Sequence, residues 1–360
     1  MLAPITAEGL WGGDRLAASH PEIRIVRYLL RTFERMPFRP PPPDFLEEER
    51  SQVQPLLLQL LETFRPDLVI VGRETFARYV PEITKPRGIP TVLLLRGSPT
   101  GHILSGQFPM DETERLLAEF RKVDRIIAVA QYLADGLQSM GFENASHIPN
   151  AIDTTQFVRR PRNHQLLCDL GINPAATIVL VPANLHPRKR PEDVILSAER
   201  ALRTNPNLVY LLAGTGVLQE RIQQLCEERK LSDRIRVLGW VTYERMPELM
   251  NSADVVLMAS ESEGFSRAYL EAMACERLLL ASDIPPARDL IRDGQNGLLF
   301  RMGDIEHMTA RTLEAAADPG WREAVGRRAR ISMEHLSIDS IAPIYLEEFA
   351  SLLRDRRTAP

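Results

Sequence analysis

The segment SEGFSRAYLEAMA, residues 262–274, contains two glutamates eight residues apart, Glu263 and Glu271. A Gly-Phe pair follows the first glutamate directly, and helix-forming residues surround the second. We expect a helix to begin near Ser266, so that Glu271 projects from its second turn while Glu263 stays in the preceding loop. The two carboxylates would then lie at different heights beside a helix N-terminus.

That arrangement suits a ligand with an anionic centre and hydroxyl groups at both ends. A helix N-terminus presents unpaired N–H groups and the positive end of the helix dipole, which together bind anions. Each carboxylate can accept hydrogen bonds from two hydroxyls, and Gly264 lets the backbone approach a phosphate without a Cβ in the way. A nucleotide sugar fits this pattern, although glutamates at this spacing are also common on solvated helix faces.

Eight apolar runs bounded by turn residues predict the strands that would position this segment. They are DLVIVG (67–72), TVLLLRG (91–97), RIIAVA (125–130), TIVLVPA (177–183), LVYLLAG (208–214), IRVLG (235–239), DVVLMAS (254–260) and RLLLAS (277–282). Nearly continuous apolar runs are typical of parallel strands covered on both faces, and longer helical patterns lie between them. The alternation predicts an α/β protein with two Rossmann-like, doubly wound parallel-sheet domains.

The stretch TTQFVRRPRNHQ (154–165) interrupts this alternation with charges and a proline, so we place the domain boundary there. We assign residues 1–158 to an N-terminal domain and 159–165 to a linker. Residues 166–337 would form the C-terminal domain. The amphipathic pattern of residues 338–360 predicts a C-terminal helix.

Composition narrows the class of protein. The chain has 360 residues, of which 44% are hydrophobic and 26% charged, and its formal net charge is −4. This balance argues against a nucleic-acid partner. The three cysteines lie far apart and suit a reducing cytoplasm. The N-terminus lacks a signal-peptide pattern, and no apolar run reaches the roughly 18 residues of a membrane span; we therefore expect a cytoplasmic protein.

Four arginines near the N-terminus, Arg24, Arg27, Arg31 and Arg35, recur at helical spacing. On one helix face they would suit peripheral contact with the inner face of a membrane, or an anionic acceptor. A solvated helix face, or a strand IRIVRYLL followed by a loop, are the alternatives.

Taken together, the motifs resemble one family: the retaining, nucleotide-sugar-dependent glycosyltransferases of the GT-B fold, specifically glycosyltransferase family four (group 1 type). The resemblance covers roughly Arg65 to Leu353. SEGFSRAYLEAMA is similar to the family's E-x7-E segment, SADVVLMAS to the strand before it, and DIPPARDLIRDGQNGLLF to the segment after it. RPDLVIV, GIPTVLLLRG, VDRIIAVAQYLADGL and IPNAIDTTQF resemble the N-terminal domain and the crossover.

The resemblance implies a role for each residue of the donor site. Glu271 would bind the ribose hydroxyls and Glu263 the donor hexose. The backbone of Gly264, Phe265 and Ser266 would face the sugar and the phosphate.

Two further donor-site positions come from the same resemblance. Lys189 occupies the family's phosphate-binding lysine, and it is one of only four lysines in the chain. Val241, in LGWV, would contact the nucleobase. The C-terminal helix would return to the N-terminal domain, and the acceptor would bind in a cleft between the domains.

Several positions depart from the family pattern. Asn184 stands where an arginine is usual, so Arg188 or His186 would have to supply that phosphate charge. Arg96 stands where many relatives carry a histidine, which leaves His102 as the catalytic histidine on the acceptor side. Gly12 and Gly13 would belong to the acceptor loop, which is short in this chain.

The implied reaction is retaining transfer of a hexosyl group from a nucleoside diphosphate sugar, a UDP-sugar first and a GDP-sugar second. The acceptor would be a saccharide, a lipid-linked glycan or a small molecule in bacterial glycan or glycoconjugate biosynthesis. The chain has no D-x-D motif, so we expect neither a metal nor any other cofactor. Two alternatives remain: a nucleotide-sugar epimerase, and a non-catalytic nucleotide-sugar-binding member of the same fold.

Overall fold

The computed structural model describes residues 2–5, 26–29, 42–97 and 99–358. The chain divides into two compact units. The first comprises Met1–Val129, Leu133–His147 and Leu346–Pro360, and the second comprises Ala130–Tyr132 and Ile148–Tyr345. Residues 148–158, which we assigned to the first domain, fall in the second unit, where Ile152 is bonded to the backbone of Leu336 and Ile338 at 3.0 and 3.1 Å. The predicted domain limits otherwise stay a prediction.

Two parallel sheets form in the first unit. Strands β1 (Leu2–Ile5) and β2 (Val26–Leu29) pair with each other. A four-stranded sheet has the order β3-β4-β5-β6, with the bounds Val69–Val71, Thr91–Leu95, Arg125–Ala128 and Ala145–His147. The helices that accompany it are α1 (Pro43–Phe64), α2 (Val80–Thr84), α3 (Thr100–Leu104), α4 (Met110–Phe120) and α5 (Gln131–Ser139).

The second unit is built on a six-stranded parallel sheet in the order β12-β11-β10-β7-β8-β9. Its strands are β7 (Thr177–Val181), β8 (Leu208–Ala213), β9 (Ile235–Gly239), β10 (Val255–Met258), β11 (Leu278–Ser282) and β12 (Leu298–Phe300). Strands β7 to β9 extend the sheet in one direction and β10 to β12 in the other. The order therefore reverses between β7 and β10, which is where open α/β sheets bind their ligands.

Helices follow most of these strands. They are α6 (His164–Asp169), α7 (Pro191–Thr204), α8 (Gln219–Glu228), α9 (Met246–Ser252), α10 (Arg267–Ala274), α11 (Pro285–Leu290), α12 (Ile305–Ala317), α13 (Pro319–Ser332) and α14 (Ile338–Thr358). Buried side chains of the sheet, such as Tyr210 and Leu280, share a core with Ile195 of α7 and Met308 of α12. Burial on both faces explains why these strands are so uniformly apolar.

All eight predicted strands are confirmed. The structure adds the short strands β1, β6 and β12, which were not among the strands predicted from the sequence. Around Arg27 the chain forms strand β2, so the helical interpretation is wrong at that residue and the strand alternative fits. Arg24, Arg31 and Arg35 lie outside the described residues.

The predicted C-terminal helix is also confirmed, as α14. Within the first unit, Glu348 of this helix contacts Arg125 at the start of β5 at 3.1 Å and the Ser146 hydroxyl at 3.4 Å. None of the described helices combines the length and the apolar character needed to cross a membrane.

Candidate functional site

The two loops that leave the sheet at its switch point carry the clustered candidate residues. One loop follows β7 and contains Arg188 and Lys189; the other follows β10 and contains Glu263. Because the strands are parallel, both loops leave from the same edge of the sheet, at the carboxyl ends of β7 and β10. We call residues 260–266 the switch-point loop.

The switch-point loop leads directly into helix α10. Ser266 is extended, with φ −71° and ψ 121°, and the helix runs from Arg267 to Ala274. The predicted helix start is thereby confirmed, with Glu263 in the loop and Glu271 in the second turn. Glu271 is only 7% exposed.

A lysine and an arginine from the β7 loop converge on the Glu263 carboxylate. Lys189 donates to Oε1 of Glu263, and Arg188 lies 3.5 Å from Oε2. Ser260, at the start of the switch-point loop, donates to the same Oε1 at 2.7 Å. The side chains of Lys189 and Glu263 are 13% and 8% exposed, so this is a nearly buried ion pair with two additional donors around one carboxylate.

This setting controls the charges of the pair. Burial alone would raise the pKa of Glu263, but Lys189, Arg188 and the hydrogen bonds from Lys189 and Ser260 outweigh it and hold the pKa below its ordinary value. Burial lowers the pKa of Lys189, and the Glu263 carboxylate offsets part of that effect. Glu263 is therefore ionised at neutral pH, beside two cationic side chains.

Glu271 has a different environment. Burial raises its pKa to about 7, and the charge of Arg267 opposes that rise. Arg267 lies one helical turn before Glu271 and 5.5 Å from the ring centroid of Tyr243, which packs against Phe157. Glu271 is thus a buried carboxyl group whose protonated form is favoured relative to that of an exposed glutamate.

Two glycines hold the β7 loop against the loop that follows β8. A Cβ on Gly214 would lie 2.2 Å from the carbonyl oxygen of Ala183, and one on Gly216 would lie 2.4 Å from that of Leu185. The Leu185 N–H donates to the Thr215 carbonyl at 2.9 Å. Neither glycine was predicted from the sequence, although a position directly after a buried strand was a usable signal.

Side chains from other segments hold the switch-point loop by its backbone. Arg188 donates to the carbonyl of Ser262, Tyr132 to that of Glu263 at 2.8 Å, and Asn150 to that of Phe265 at 2.9 Å. Tyr132, Asn150 and Ser260 were not predicted from the sequence.

The other predicted donor-site residues also follow the carboxyl ends of strands in this sheet. Asn184 is exposed in the β7 loop, and Val241 is half-buried just after β9. Phe265 is buried, with 7% of its surface exposed, while Gly264 and Ser266 are half-buried. His186 is half-buried in the β7 loop.

The predicted acceptor-side residues belong to the first unit. Arg96 is exposed directly after β4, and His102 is buried in α3. Gly12 and Gly13 lie outside the described residues. Within the described ranges, no group of three or more His, Cys, Asp or Glu side chains is arranged to hold a metal ion.

Two family models match the chain, and together they cover most of it. "Glycosyl transferases group 1" matches residues 168–332, which include the switch-point loop, and "Glycosyltransferase Family 4" matches residues 13–156.

The chain is similar to curated proteins over part of their length. The chain is 28% identical over 207 residues to N-acetyl-alpha-D-glucosaminyl L-malate synthase of Bacillus anthracis, covering 57% of this chain and 53% of that one. It is 26% identical over 276 residues to 2-deoxystreptamine N-acetyl-D-glucosaminyltransferase of Streptomyces fradiae, covering 72% and 65%. The chain thus spans between about half and two thirds of the length of these relatives.

Solved structures share the fold over nearly the whole chain. HepE from Anabaena, crystallised with UDP and glucose, has a TM-score of 0.78 at 20% identity, with 97% of this chain and 92% of that one covered. Sucrose-phosphate synthase from Thermosynechococcus elongatus has a TM-score of 0.76 at 17% identity, covering 97% and 99%.

Proposed function

The chain belongs to the group 1 glycosyltransferases of family four and has their GT-B fold, as its sequence indicated, and from this premise we propose the reaction that it performs. It transfers a hexosyl group from a nucleoside diphosphate sugar to an acceptor hydroxyl, with retention at the anomeric carbon. A UDP-sugar is the first choice of donor, since HepE was crystallised with UDP-glucose, and a GDP-sugar is the second.

The observation that carries this proposal is the convergence of Lys189 and Arg188 on Glu263 at the switch point of the sheet. The leaving group of the reaction is a nucleoside diphosphate, on which negative charge develops as the sugar departs. Two cationic side chains held beside the N-terminus of α10 are suited to stabilise that charge. The Glu263 carboxylate is suited to accept hydrogen bonds from the donor hexose.

The residues around this cluster take the remaining donor contacts in the proposal. Glu271 binds the ribose hydroxyls from the second turn of α10, and Val241 lies beside the nucleobase. The backbone of Gly264, Phe265 and Ser266 faces the sugar and the phosphate. Asn184 contributes a neutral side chain, so Arg188 supplies the second cationic contact.

Retention follows from departure and attack on the same face of the sugar. The bond from the anomeric carbon to the phosphate oxygen breaks, and a bond to the acceptor oxygen forms. The acceptor hydroxyl loses its proton to the leaving phosphate, so the step requires no covalent enzyme intermediate. In this proposal the charge of Lys189 and Arg188 takes the place that a metal ion has in other transferases, and no cofactor takes part.

The acceptor side rests on the first unit. We place His102 and Arg96 near the acceptor, which is a saccharide, a lipid-linked glycan or a small molecule of bacterial glycan or glycoconjugate biosynthesis. The reaction belongs in the cytoplasm, or at the inner face of the membrane if the acceptor is lipid-linked.

A thermal melt with four nucleotides tests the donor site. The purified protein is heated with UDP, GDP, ADP or TDP at millimolar concentration, and the series is repeated with Glu271→Ala. A ligand that binds only the folded state raises the melting temperature, so we expect a rise with one nucleotide that is lost in the variant. No rise with any nucleotide would overturn the proposal in favour of a member of the fold that binds no donor.

A further inference from the structure

The switch-point loop is held by two side chains that the proposed chemistry does not use. The Tyr132 hydroxyl donates to the carbonyl of Glu263 at 2.8 Å, and the Asn150 amide donates to the carbonyl of Phe265 at 2.9 Å. Both residues belong to the second unit, as the loop does. Each bond therefore fixes one peptide group of the switch-point loop.

These bonds determine where two N–H groups point. In a trans peptide the C=O of one residue and the N–H of the next lie on opposite sides. The peptides 263–264 and 265–266 have their carbonyls turned toward Tyr132 and Asn150, so the N–H groups of Gly264 and Ser266 point the other way. Within the described residues, neither N–H donates to another protein group.

We propose that Tyr132 and Asn150 are positioning residues, which turn the Gly264 and Ser266 N–H groups toward the terminal phosphate of the donor. This inference rests on the proposed function. Because Gly264 directly follows Glu263, its N–H lies near the end of the donor that carries the hexose and the terminal phosphate. Glu271, one helical turn into α10, serves the opposite end, the ribose.

Both side chains are suited to hold a carbonyl. Burial, and then the nearby Glu263 charge, raise the pKa of Tyr132, so its hydroxyl stays protonated and remains a donor at any physiological pH. The Asn150 amide carries donor N–H groups and no charge, so it leaves the net charge of the site unchanged.

The test compares diphosphate and monophosphate affinity in two variants. Tyr132→Phe and Asn150→Ala each remove one donor, and calorimetric titration follows the four nucleoside diphosphates and the corresponding monophosphates. One hydrogen bond typically contributes enough to change affinity about fivefold. We expect each variant to bind the preferred diphosphate about fivefold more weakly and to bind the monophosphate as wild type does.

Two matched variants serve as controls. Tyr345→Phe removes a hydroxyl that donates to the Ile148 carbonyl at 3.5 Å, and Asn207→Ala removes an amide that donates to the Ala175 carbonyl at 3.2 Å. Asn207 directly precedes β8 and therefore lies at the amino ends of the strands, opposite the carboxyl ends from which the switch-point loop leaves. Both controls should bind diphosphate and monophosphate like wild type.

The outcomes separate this inference from the proposed function. If wild type binds a diphosphate and both variants bind it equally well, Tyr132 and Asn150 do not position the loop. Equal weakening for diphosphate and monophosphate would show general damage to the site and would also overturn the inference. If wild type binds none of the four diphosphates, the proposed function and this inference fail together. Far-ultraviolet circular dichroism confirms that each variant is folded.

Discussion

Lys189 and Glu263 are 74 residues apart in the chain, yet the lysine ammonium donates to the glutamate Oε1 in a nearly buried ion pair. Ser260 reinforces the same oxygen, and Arg188 approaches the other. The pair thus connects the loops after β7 and β10 at the point where the sheet order reverses. In the proposed reaction the cation of this pair binds the diphosphate of the donor, and the anion binds its hexose.

Removing the Lys189 ammonium should slow sugar transfer. Loss of one preorganised group that stabilises developing charge typically costs about 10²–10³ in rate, so we expect Lys189→Ala to lose about that factor in kcat. The measurement is steady-state transfer or donor hydrolysis, once the melt has identified the base. Lys122→Ala is the control, because Lys122 is paired with Glu119 and is 40% exposed. Activity of Lys189→Ala within about twofold of wild type would remove Lys189 from the mechanism.

The same pair makes a prediction about stability. Lys189→Met leaves the Glu263 carboxylate nearly buried, with only Arg188 as a cationic neighbour at 3.5 Å. The free energy of unfolding should therefore fall by about 3 kcal/mol, the lower end of the cost of removing one partner of a buried ion pair. The double variant Lys189→Met with Glu263→Gln removes both charges and should recover at least half of that loss. Urea unfolding of the two single variants and the double variant gives the coupling energy. Strictly additive losses would mean that the two charges do not stabilise each other.

Glu271 predicts a dependence of stability on pH. Burial raises its pKa from an ordinary 4.5 to about 7, so between these values the unfolded chain has released a proton that the folded protein keeps. The free energy of unfolding therefore falls as the pH rises through this window, and it does not recover above pH 7.

The variant that tests this dependence is Glu271→Gln, which removes the titration while other groups stay common to both proteins. The free energy of unfolding of the variant minus that of wild type should increase by about 2–3 kcal/mol from pH 5 to pH 8. The increase comes from the roughly two units of the raised Glu271 pKa that fall within this pH range. Urea unfolding at the two pH values measures the gain. A difference between variant and wild type that is the same at both pH values would contradict the assigned pKa.

Much of the fold was predictable because its signal is local. The strands β7, β8 and β10 are buried on both faces, so nearly all of their residues are apolar, and the sequence shows this directly. The strand β6 reads ASH and has no apolar run, and β12 contains only the three apolar residues LLF, so neither resembles the longer run DLVIVG that contains the equally short β3. Around Arg27, arginines at spacings of three and four suggested a helix, but the chain there forms β2, whose pairing with β1 is not visible locally.

The site was only partly predictable, for a related reason. Residue types and motif position indicated Lys189 and Glu263, but not that they pair. Tyr132 and Asn150 bind backbone carbonyls of the switch-point loop, and every residue has a carbonyl. The type of the residue that supplies the carbonyl therefore does not predict which side chain donates to it, and such hydrogen bonds are found only in the structure.

Gly216 offers the last prediction, because it separates loop packing from side-chain chemistry. An ideal Cβ at this position lies 2.4 Å from the carbonyl oxygen of Leu185, and backbone cannot swing aside as a side chain can. Gly216→Ala should therefore displace the β7 loop that carries Lys189, lower the free energy of unfolding by about 2 kcal/mol, and weaken nucleotide binding about tenfold. Gly72→Ala is the matched control, since its Cβ would meet no atom within 4 Å. Urea unfolding and nucleotide titration of both variants measure the effect. If Gly216→Ala were as stable as Gly72→Ala and bound nucleotide as tightly, the contact between the two loops would not position Lys189.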